Sequence, residues 1–476
     1  MTRTVSASRM ASLLGSAAER RPAYLGIADG VRLLVADGRI APGTRLPSER
    51  DLTDALGVSR TTVTRAYAHL RELGYLESRR GSGSVTRLPV RRAAVEDHVL
   101  SPGDGRPGQI DLTTAAASAP PGVAAAYEAA VAALPSYLSG TGYYPSGLPA
   151  LREQIARRYD ERGVPTTPDQ IVVTAGALAG IAVTARAFAG PGDRILTESP
   201  TYPNAIATLR RAGRLVGAPV DPAGWDVEAL TATVRQAAPR LAYLVPDFHN
   251  PTGGLMGDGQ RAEVAAALAR ARTLAIVDET MQELDLDGGD QPAPMAAHAA
   301  DSVTVGSASK AFWGGLRVGW LRAPDHRVGA LVASRLSVDL GAPLLEQLVL
   351  GELLARREPV LAHQRQRLRE RRDTLATALT STLPDWRFRL PRGGLALWCE
   401  LPEPLSSALT VAAERQDVML APGASFAPEG GLERFLRLPY TRTAEELTEA
   451  VSRLATAWQD AQKHRTAATG RSPLVA

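Results

Sequence analysis

Of the 54 basic residues in this sequence only two are lysines, Lys310 and Lys463; the rest are arginines. An arginine guanidinium stays protonated and is not a nucleophile, so it cannot replace a lysine amine that condenses with a carbonyl to give an imine. Lys463 lies near the C-terminus, whereas Lys310 closes the run Val305-Gly306-Ser307-Ala308-Ser309-Lys310, which follows an apolar strand-like stretch. Seven residues later Arg317 stands in Gly314-Gly315-Leu316-Arg317-Val318-Gly319-Trp320. A strand end would present the lysine, and Ser307, Ser309 and Arg317 could reach a phosphate dianion beside it. Upstream, Asp278 ends the apolar segment Leu274-Ala275-Ile276-Val277. An acid delivered by such a strand suits a protonated ring nitrogen. Taken alone, Asp278 would more simply be a helix cap or a surface acid; its order and spacing with Lys310 and Arg317 favour chemistry.

Three further segments fit the same demand. His249-Asn250-Pro251-Thr252-Gly253 follows the apolar stretch Leu241–Val245, where the Asn250 amide can donate to a phenolic oxygen, although the motif alone could be a turn. Thr174-Ala175-Gly176-Ala177-Leu178 reads as a strand-to-helix turn, and free N–H groups at Gly176 and Ala177 make a phosphate site. Ser199-Pro200-Thr201-Tyr202-Pro203 supplies Tyr202 as a ring-stacking aromatic. An imine lysine, an acid for a pyridine nitrogen, a donor to a phenolic oxygen, a phosphate cup and an aromatic lid are what pyridoxal 5′-phosphate (PLP) requires of a protein.

These residues need a scaffold. Between Ile110 and about Gln462, short apolar stretches (Ile171–Thr174, Arg194–Thr197, Leu241–Val245, Leu274–Asp278, Val303–Gly306) alternate with Ala-rich helical segments. The alternation predicts a mostly parallel sheet covered by helices. Along about 350 residues the ordered motifs resemble fold-type I aminotransferases of class I/II. The resemblance implies an α/β PLP domain with a small C-terminal α+β subdomain, and a homodimer with pockets at its interface. It also implies that a tyrosine of Gly142-Tyr143-Tyr144-Pro145-Ser146-Gly147 reaches the partner's phosphate, Tyr143 being the first choice and Tyr144 the alternative. Arg437, in Phe435-Leu436-Arg437-Leu438-Pro439-Tyr440, matches the arginine that grips a substrate or effector carboxylate; by itself it could be a surface strand residue. Two positions depart from the family. Met281 stands where a tyrosine usually bonds the phenolic oxygen, and Leu178 where the phosphate cup usually has a polar side chain. Both imply a weaker hydrogen-bond set, which bears on transaminase turnover more than on cofactor binding.

The first 92 residues carry 16 Arg against 8 Asp or Glu, so a head of net charge +8 precedes a remainder of −4. Such a head suits a polyanion, though a solvated basic surface would look the same. Its residues 22–88 read as a helical unit ending in a hairpin. Ala23–Asp37 is amphipathic; Ser48 caps a second helix, with Asp51 completing a capping box and Gly57 ending it; Ser59 caps a third, whose Val63, Tyr67 and Leu70 form a buried stripe. Short strands are expected at Tyr75–Glu77 and Ser84–Thr86, with Arg79-Arg80-Gly81-Ser82-Gly83 between them. The stretch from Leu46 to Gly83 resembles GntR-family winged helix-turn-helix domains. That resemblance places DNA contacts on Arg50, Ser59, Arg60, Thr61, Thr64, Arg80 and Gly81. A small protein-interaction domain is the alternative.

Residues 89–108 read as a linker, 109–462 as the PLP domain and 463–476 as a disordered tail. There is no apolar run of 18 residues and no apolar core in the N-terminal segment, and the single cysteine, Cys399, can form neither an internal disulfide nor a multi-cysteine metal site. A soluble cytoplasmic protein without a metal is expected. The combination of head and body resembles the MocR-type subfamily of GntR transcriptional regulators. It implies a double-stranded DNA operator as partner and sensing of PLP, an amino acid or an amine through aldimine chemistry on Lys310. The alternatives are an active PLP-dependent aminotransferase with an appended DNA-binding head, and a PLP-free dimerisation module, which the retained Lys310 disfavours.

Overall fold

The structure, a computed structural model, describes residues 4–19, 21–36, 40, 44–79, 83–87 and 108–469. The chain forms two compact units, neither continuous in sequence: Met1–Thr114 with Glu403–Leu420 and Ala450–Ala476, and Ala115–Pro402 with Ala421–Glu449.

In the first unit, helices α1 (Ala7–Leu14), α2 (Ala23–Ala36), α3 (Glu49–Leu56) and α4 (Arg60–Glu72) precede a hairpin of β1 (Leu76–Arg79) and β2 (Gly83–Thr86). Ser48, Gly57 and Ser59 cap as expected, whereas Asp51 contributes its backbone N–H and no reciprocal capping-box bond. Ser48 Oγ accepts Asp51 N–H (3.1 Å), Gly57 closes α3 in the left-handed region at φ 65°, and Ser59 Oγ accepts Thr62 N–H (3.1 Å). Val63, Tyr67 and Leu70 are buried against Ile27, Val31 and Leu52. Each such side chain contributes about 1.5–3 kcal/mol of apolar burial. The Tyr67 hydroxyl resolves its own burial by donating to Pro47 O (2.9 Å).

Two boundaries differ from those expected. Helix α1 lies ahead of residue 22, capped by Ser6, and sends Met10 and Leu14 into the same core. At the other end the helix Ala444–Thr469 continues past Gln462, where a disordered tail was expected, because the sequence offers no glycine or proline before Gly470. The expected linker lies outside the described residues, apart from Gly108. A short strand β3 (Ile110–Asp111) follows it and pairs in parallel with Val418–Met419. Arg453 Nη1 donates to Gly108 O (2.8 Å), and Arg415 pairs with Asp29 of α2 (2.8 Å).

The second unit holds an eight-stranded sheet. Its strands are β4 (Ile171–Thr174), β5 (Arg194–Ser199), β6 (Arg214–Asp221), β7 (Gly224–Trp225), β8 (Leu241–Leu244), β9 (Leu274–Asp278), β10 (Ser302–Ser307) and β11 (Gly319–Arg322), in the spatial order β4-β11-β10-β9-β8-β5-β6-β7. Neighbours from β10 to β6 run parallel, while β11 is antiparallel to both β10 and β4. Successive residues feed different cores. Ile195, Tyr243 and Ile276 enter one cluster, and Leu196, Leu244 and Val277 enter another. A sheet buried on both faces needs such unbroken apolar strands, which is why they read as runs rather than as alternations. Ala396–Glu400, Phe435–Pro439 and Ala421–Pro422 form a small antiparallel sheet.

Gly319 sits opposite Ser307 of β10 and Thr174 of β4. A Cβ there would lie 2.6 Å from Gly176 C, 2.7 Å from Ala177 N and 2.8 Å from Gly306 O, all backbone atoms that cannot swing aside. Gly319→Ala should cost about 1–3 kcal/mol, the usual scale of overpacking, and loosen cofactor retention. Gly314→Ala, whose Cβ would meet nothing within 4 Å, should do neither. Thermal unfolding and PLP titration of the two variants check this.

Candidate functional site

The carboxyl ends of β4, β5, β9 and β10 carry Thr174, Ser199, Asp278 and Ser307. Ligands of open α/β sheets bind at such strand ends. Lys310 follows β10 in the one-turn helix Ala308–Ala311, which opens with Ser307 Oγ accepting the Ser309 N–H (3.1 Å). Lys310 Nζ donates to Ala115 O (2.8 Å). Burial, then Arg437 and Arg317, push its ammonium down from the ordinary 10.5 to about 8, with Asp278 pulling the other way.

Asp278 is buried, and both of its oxygens are engaged. Oδ2 accepts from the Tyr243 hydroxyl (2.7 Å) and Oδ1 from Thr280 N–H (2.9 Å). Burial raises its carboxyl pKa, and those donors oppose the rise. Tyr243 was not anticipated from sequence. Within Leu241-Ala242-Tyr243-Leu244 a tyrosine reads as core, and only the pairing of β8 with β9 reveals what its hydroxyl meets.

The segment read as a phosphate cup forms a strand-to-helix turn. Gly176, at φ 92°, opens the helix Ala177–Phe188 without a side-chain cap, leaving backbone donors at its start. The Arg317 guanidinium fills the space above it: Nη2 donates to Ala175 O (3.4 Å) and would stand 2.9 Å from any Cβ at position 176. Tyr202 is half-buried and accepts a hydrogen bond from Asn204 Nδ2 (3.0 Å). Burial raises its phenol pKa, and Asp278, Arg437 and Arg317 all act on it, which places it among the same charges as Lys310. Arg437 is buried, lies over the Phe426 ring at 4.8 Å and donates to Asn250 Oδ1 (3.4 Å), which orients the Asn250 amide. Arg437 is thus buried beside Asn250 and is not a surface residue.

The two departures have structural counterparts. Met281 is buried and brings no hydroxyl, and Leu178 packs on the apolar cluster of the sheet. The two candidate tyrosines also differ. Tyr144 packs in the core and makes an edge contact with Tyr137 (6.5 Å), whereas Tyr143 is 65% exposed.

Lys310 is therefore acted on by two cations, Arg437 and Arg317, and by one carboxylate, Asp278, and Arg317 lies beside the helix N-terminus at Gly176. That donor set fits PLP: an amine, an acid for the ring nitrogen, and a cationic cup for a dianion. When bound, PLP supplies an electrophilic carbonyl and an electron-withdrawing ring.

On the head, Arg50, Ser59, Arg60, Thr61 and Thr64 are exposed, the last four at the start of α4. Two of their hydroxyls are already used. Ser59 Oγ caps α4, and Thr64 Oγ1 donates to Glu49 Oε2 (2.7 Å). Arg80 and Gly81 lie outside the described residues.

Residues 117–454 match the aminotransferase class I and II family. The chain belongs to that family. Residues 23–86 match the gntR family of bacterial regulatory proteins. Relatives match along most of their own length: the uncharacterised HTH-type transcriptional regulator YdcR of Escherichia coli K12 is 30% identical over 87% of this chain and 94% of its own length. The HTH-type pyridoxine biosynthesis transcriptional regulator PdxR of Corynebacterium glutamicum is 32% identical over 80% and 84%. Among solved structures, LysN from Thermus thermophilus, an alpha-aminoadipate aminotransferase complexed with N-(5'-phosphopyridoxyl)-L-leucine, superposes with a TM-score of 0.69 at 28% identity, over 75% of this chain and 93% of LysN. The architecture is the MocR type: a DNA-binding transcriptional regulator whose larger domain is aminotransferase-like and binds PLP. Among the described residues no helix is long and apolar enough to cross a membrane.

An amine held at about 8 when folded and near 10.5 when unfolded leaves the unfolded chain with the extra proton between those values. The cofactor-free chain should therefore gain stability as pH rises through that window, and Lys310→Met should lack the gain. Denaturant midpoints of both proteins across the window check it; parallel curves would mean that the amine is not held down.

Proposed function

We propose that the chain represses or activates transcription in response to occupancy of its PLP pocket, by PLP itself or by an amino acid or amine that joins it there. The observation that carries this reading is the pairing, in one chain, of a DNA-binding head with a pocket that keeps its reactive amine. The head comprises residues 22–88 together with α1, and the body residues 109–462. In this reading Lys310 forms the covalent link, Asp278 holds the ring nitrogen and Asn250 donates to the phenolic oxygen. Gly176, Ala177, Ser307, Ser309 and Arg317 hold the phosphate, and Tyr202 stacks on the ring. Arg437 takes the carboxylate of an amino-acid effector through its planar fork. The protein acts as a homodimer in which Tyr143, exposed in one copy, completes the phosphate site of the other. Ligand binding shifts DNA affinity only as far as it favours one arrangement of the heads over another.

Arg50, Arg60, Thr61, Thr64 and the backbone at Ser59 face the operator in this reading, and Arg80 and Gly81 are the further contacts that the GntR resemblance implies. An aminotransferase with an appended head draws support from the convergence of Lys310, Asp278, Asn250 and Arg437. Met281 weighs against it by leaving the phenolic oxygen one donor short. Turnover of an amino acid with a keto acid separates the two readings.

Footprinting of the intergenic DNA flanking the gene is expected to reveal a protected operator. Affinity for it should fall steeply with salt, and Arg60→Ala should weaken binding about tenfold while lowering the salt slope by about one if Arg60 meets a phosphate. Absence of any protected site would overturn the regulator reading.

A further inference from the structure

Tyr243 is the strongest polar feature of the pocket that the functional reading leaves without a task. It lies on β8, fully buried within an aliphatic cluster that includes Ile195, Ile276 and Val305. Its hydroxyl donates to Asp278 Oδ2 at 2.7 Å across the parallel pairing of β8 with β9. The other Asp278 oxygen is taken by Thr280 N–H (2.9 Å), so the carboxyl plane is fixed by donors on both sides.

We infer that Tyr243 is a positioning residue for PLP, acting through Asp278 to keep that carboxyl ionised and aimed at the ring nitrogen. The inference rests on Asp278 as the acid of the pocket. A carboxyl sunk in an apolar strand end drifts toward its neutral form, because burial penalises the charge. A neutral carboxyl cannot balance a protonated ring nitrogen. A hydrogen bond to the ionised form opposes that drift, and among the influences that lower the Asp278 pKa the Tyr243 hydroxyl stands first. Tyr243 is suited to this because its hydroxyl keeps the proton it donates. Burial and the nearby Asp278 charge raise its own pKa well above 10, so it remains a donor at every working pH. Each carboxylate oxygen has two lone pairs, so one donor apiece leaves capacity for the ring nitrogen. Serine, threonine or asparagine could donate equally well at the surface; only a side chain as long as tyrosine spans from the neighbouring strand while its ring packs in the core.

A tyrosine that merely satisfied its own buried hydroxyl would leave the cofactor untouched, and this difference is measurable. The probe is PLP labelled with 15N in the ring, bound to the full chain, with nitrogen NMR reporting ring protonation and titration reporting affinity. In wild type the ring nitrogen should read as protonated. In Tyr243→Phe it should move toward the neutral pyridine position, and PLP affinity should fall roughly tenfold, the scale of one lost hydrogen bond to a charged group. In an Asp278→Asn background, Tyr243→Phe should change neither quantity further, since its path to the cofactor is gone. Should Tyr243→Phe fold poorly, 3-fluorotyrosine placed at position 243 is isosteric and a stronger donor. It should hold the nitrogen protonated to a higher pH than wild type does.

A Tyr243→Phe protein that unfolds more easily but keeps the wild-type nitrogen shift and affinity would overturn the inference, as would 3-fluorotyrosine without effect. If instead Asp278→Asn itself leaves the nitrogen shift and affinity unchanged, the assignment of Asp278 fails, a result distinct from failure of Tyr243 alone.

Discussion

Excess positive charge in a confined space governs the larger domain. Lys310, Arg317 and Arg437 act on one another and on a single buried acid, Asp278. Cations crowded this way repel in proportion to how far water is excluded, and one carboxylate balances only one of them. Burial first, and the two arginines after it, lower the lysine pKa to about 8, which also makes it the better nucleophile. In the proposed reading an anion offsets the remaining positive charge, at the helix start that has no side-chain cap and lies next to Arg317. The sheet serves this arrangement. Four parallel strands, β10, β9, β8 and β5, are buried along nearly their whole length and bring their carboxyl ends to one edge, and glycine at 319 lets β11 close against the cup.

The head follows a simpler constraint. It is small, and its stability comes from one core to which α1, α2, α3, α4 and the hairpin all contribute. That core leaves the start of α4 exposed and cationic. Polar side chains there serve twice, since Ser59 and Thr64 are engaged within the head before any DNA is met. In the proposed reading this leaves Arg50, Arg60 and backbone N–H groups as the freer donors for DNA at this end.

Much of the pocket was legible in sequence because its chemistry is packed into short motifs at strand ends. Lys310, Asp278 and Gly176 each sit within a few residues of a strand recognisable in the sequence, whereas the strand beside Arg317, Gly319–Arg322, was not recognised. Tyr243 was not legible, because its role depends on which strand lies beside which, and β8 and β9 are 30 residues apart. The short helix α1 was missed although Ser6 and Gly15 bracket it, since eight residues give a weak periodic signal. The last helix was cut short because composition near a terminus was given more weight than the lack of a breaker before Gly470. The two units interleave in sequence, which no reading of linkers reveals: the strand Val418–Met419, far along the chain, pairs with Ile110–Asp111.

The central claim is that the charge-crowded pocket around Lys310 governs what the head does. The most direct measurement is operator affinity of the full chain with and without PLP, for wild type and for Lys310→Ala. PLP should shift wild-type affinity severalfold, in either direction, and leave Lys310→Ala unmoved. Equal responses in the two proteins, or none in wild type while PLP is visibly bound, would contradict the account.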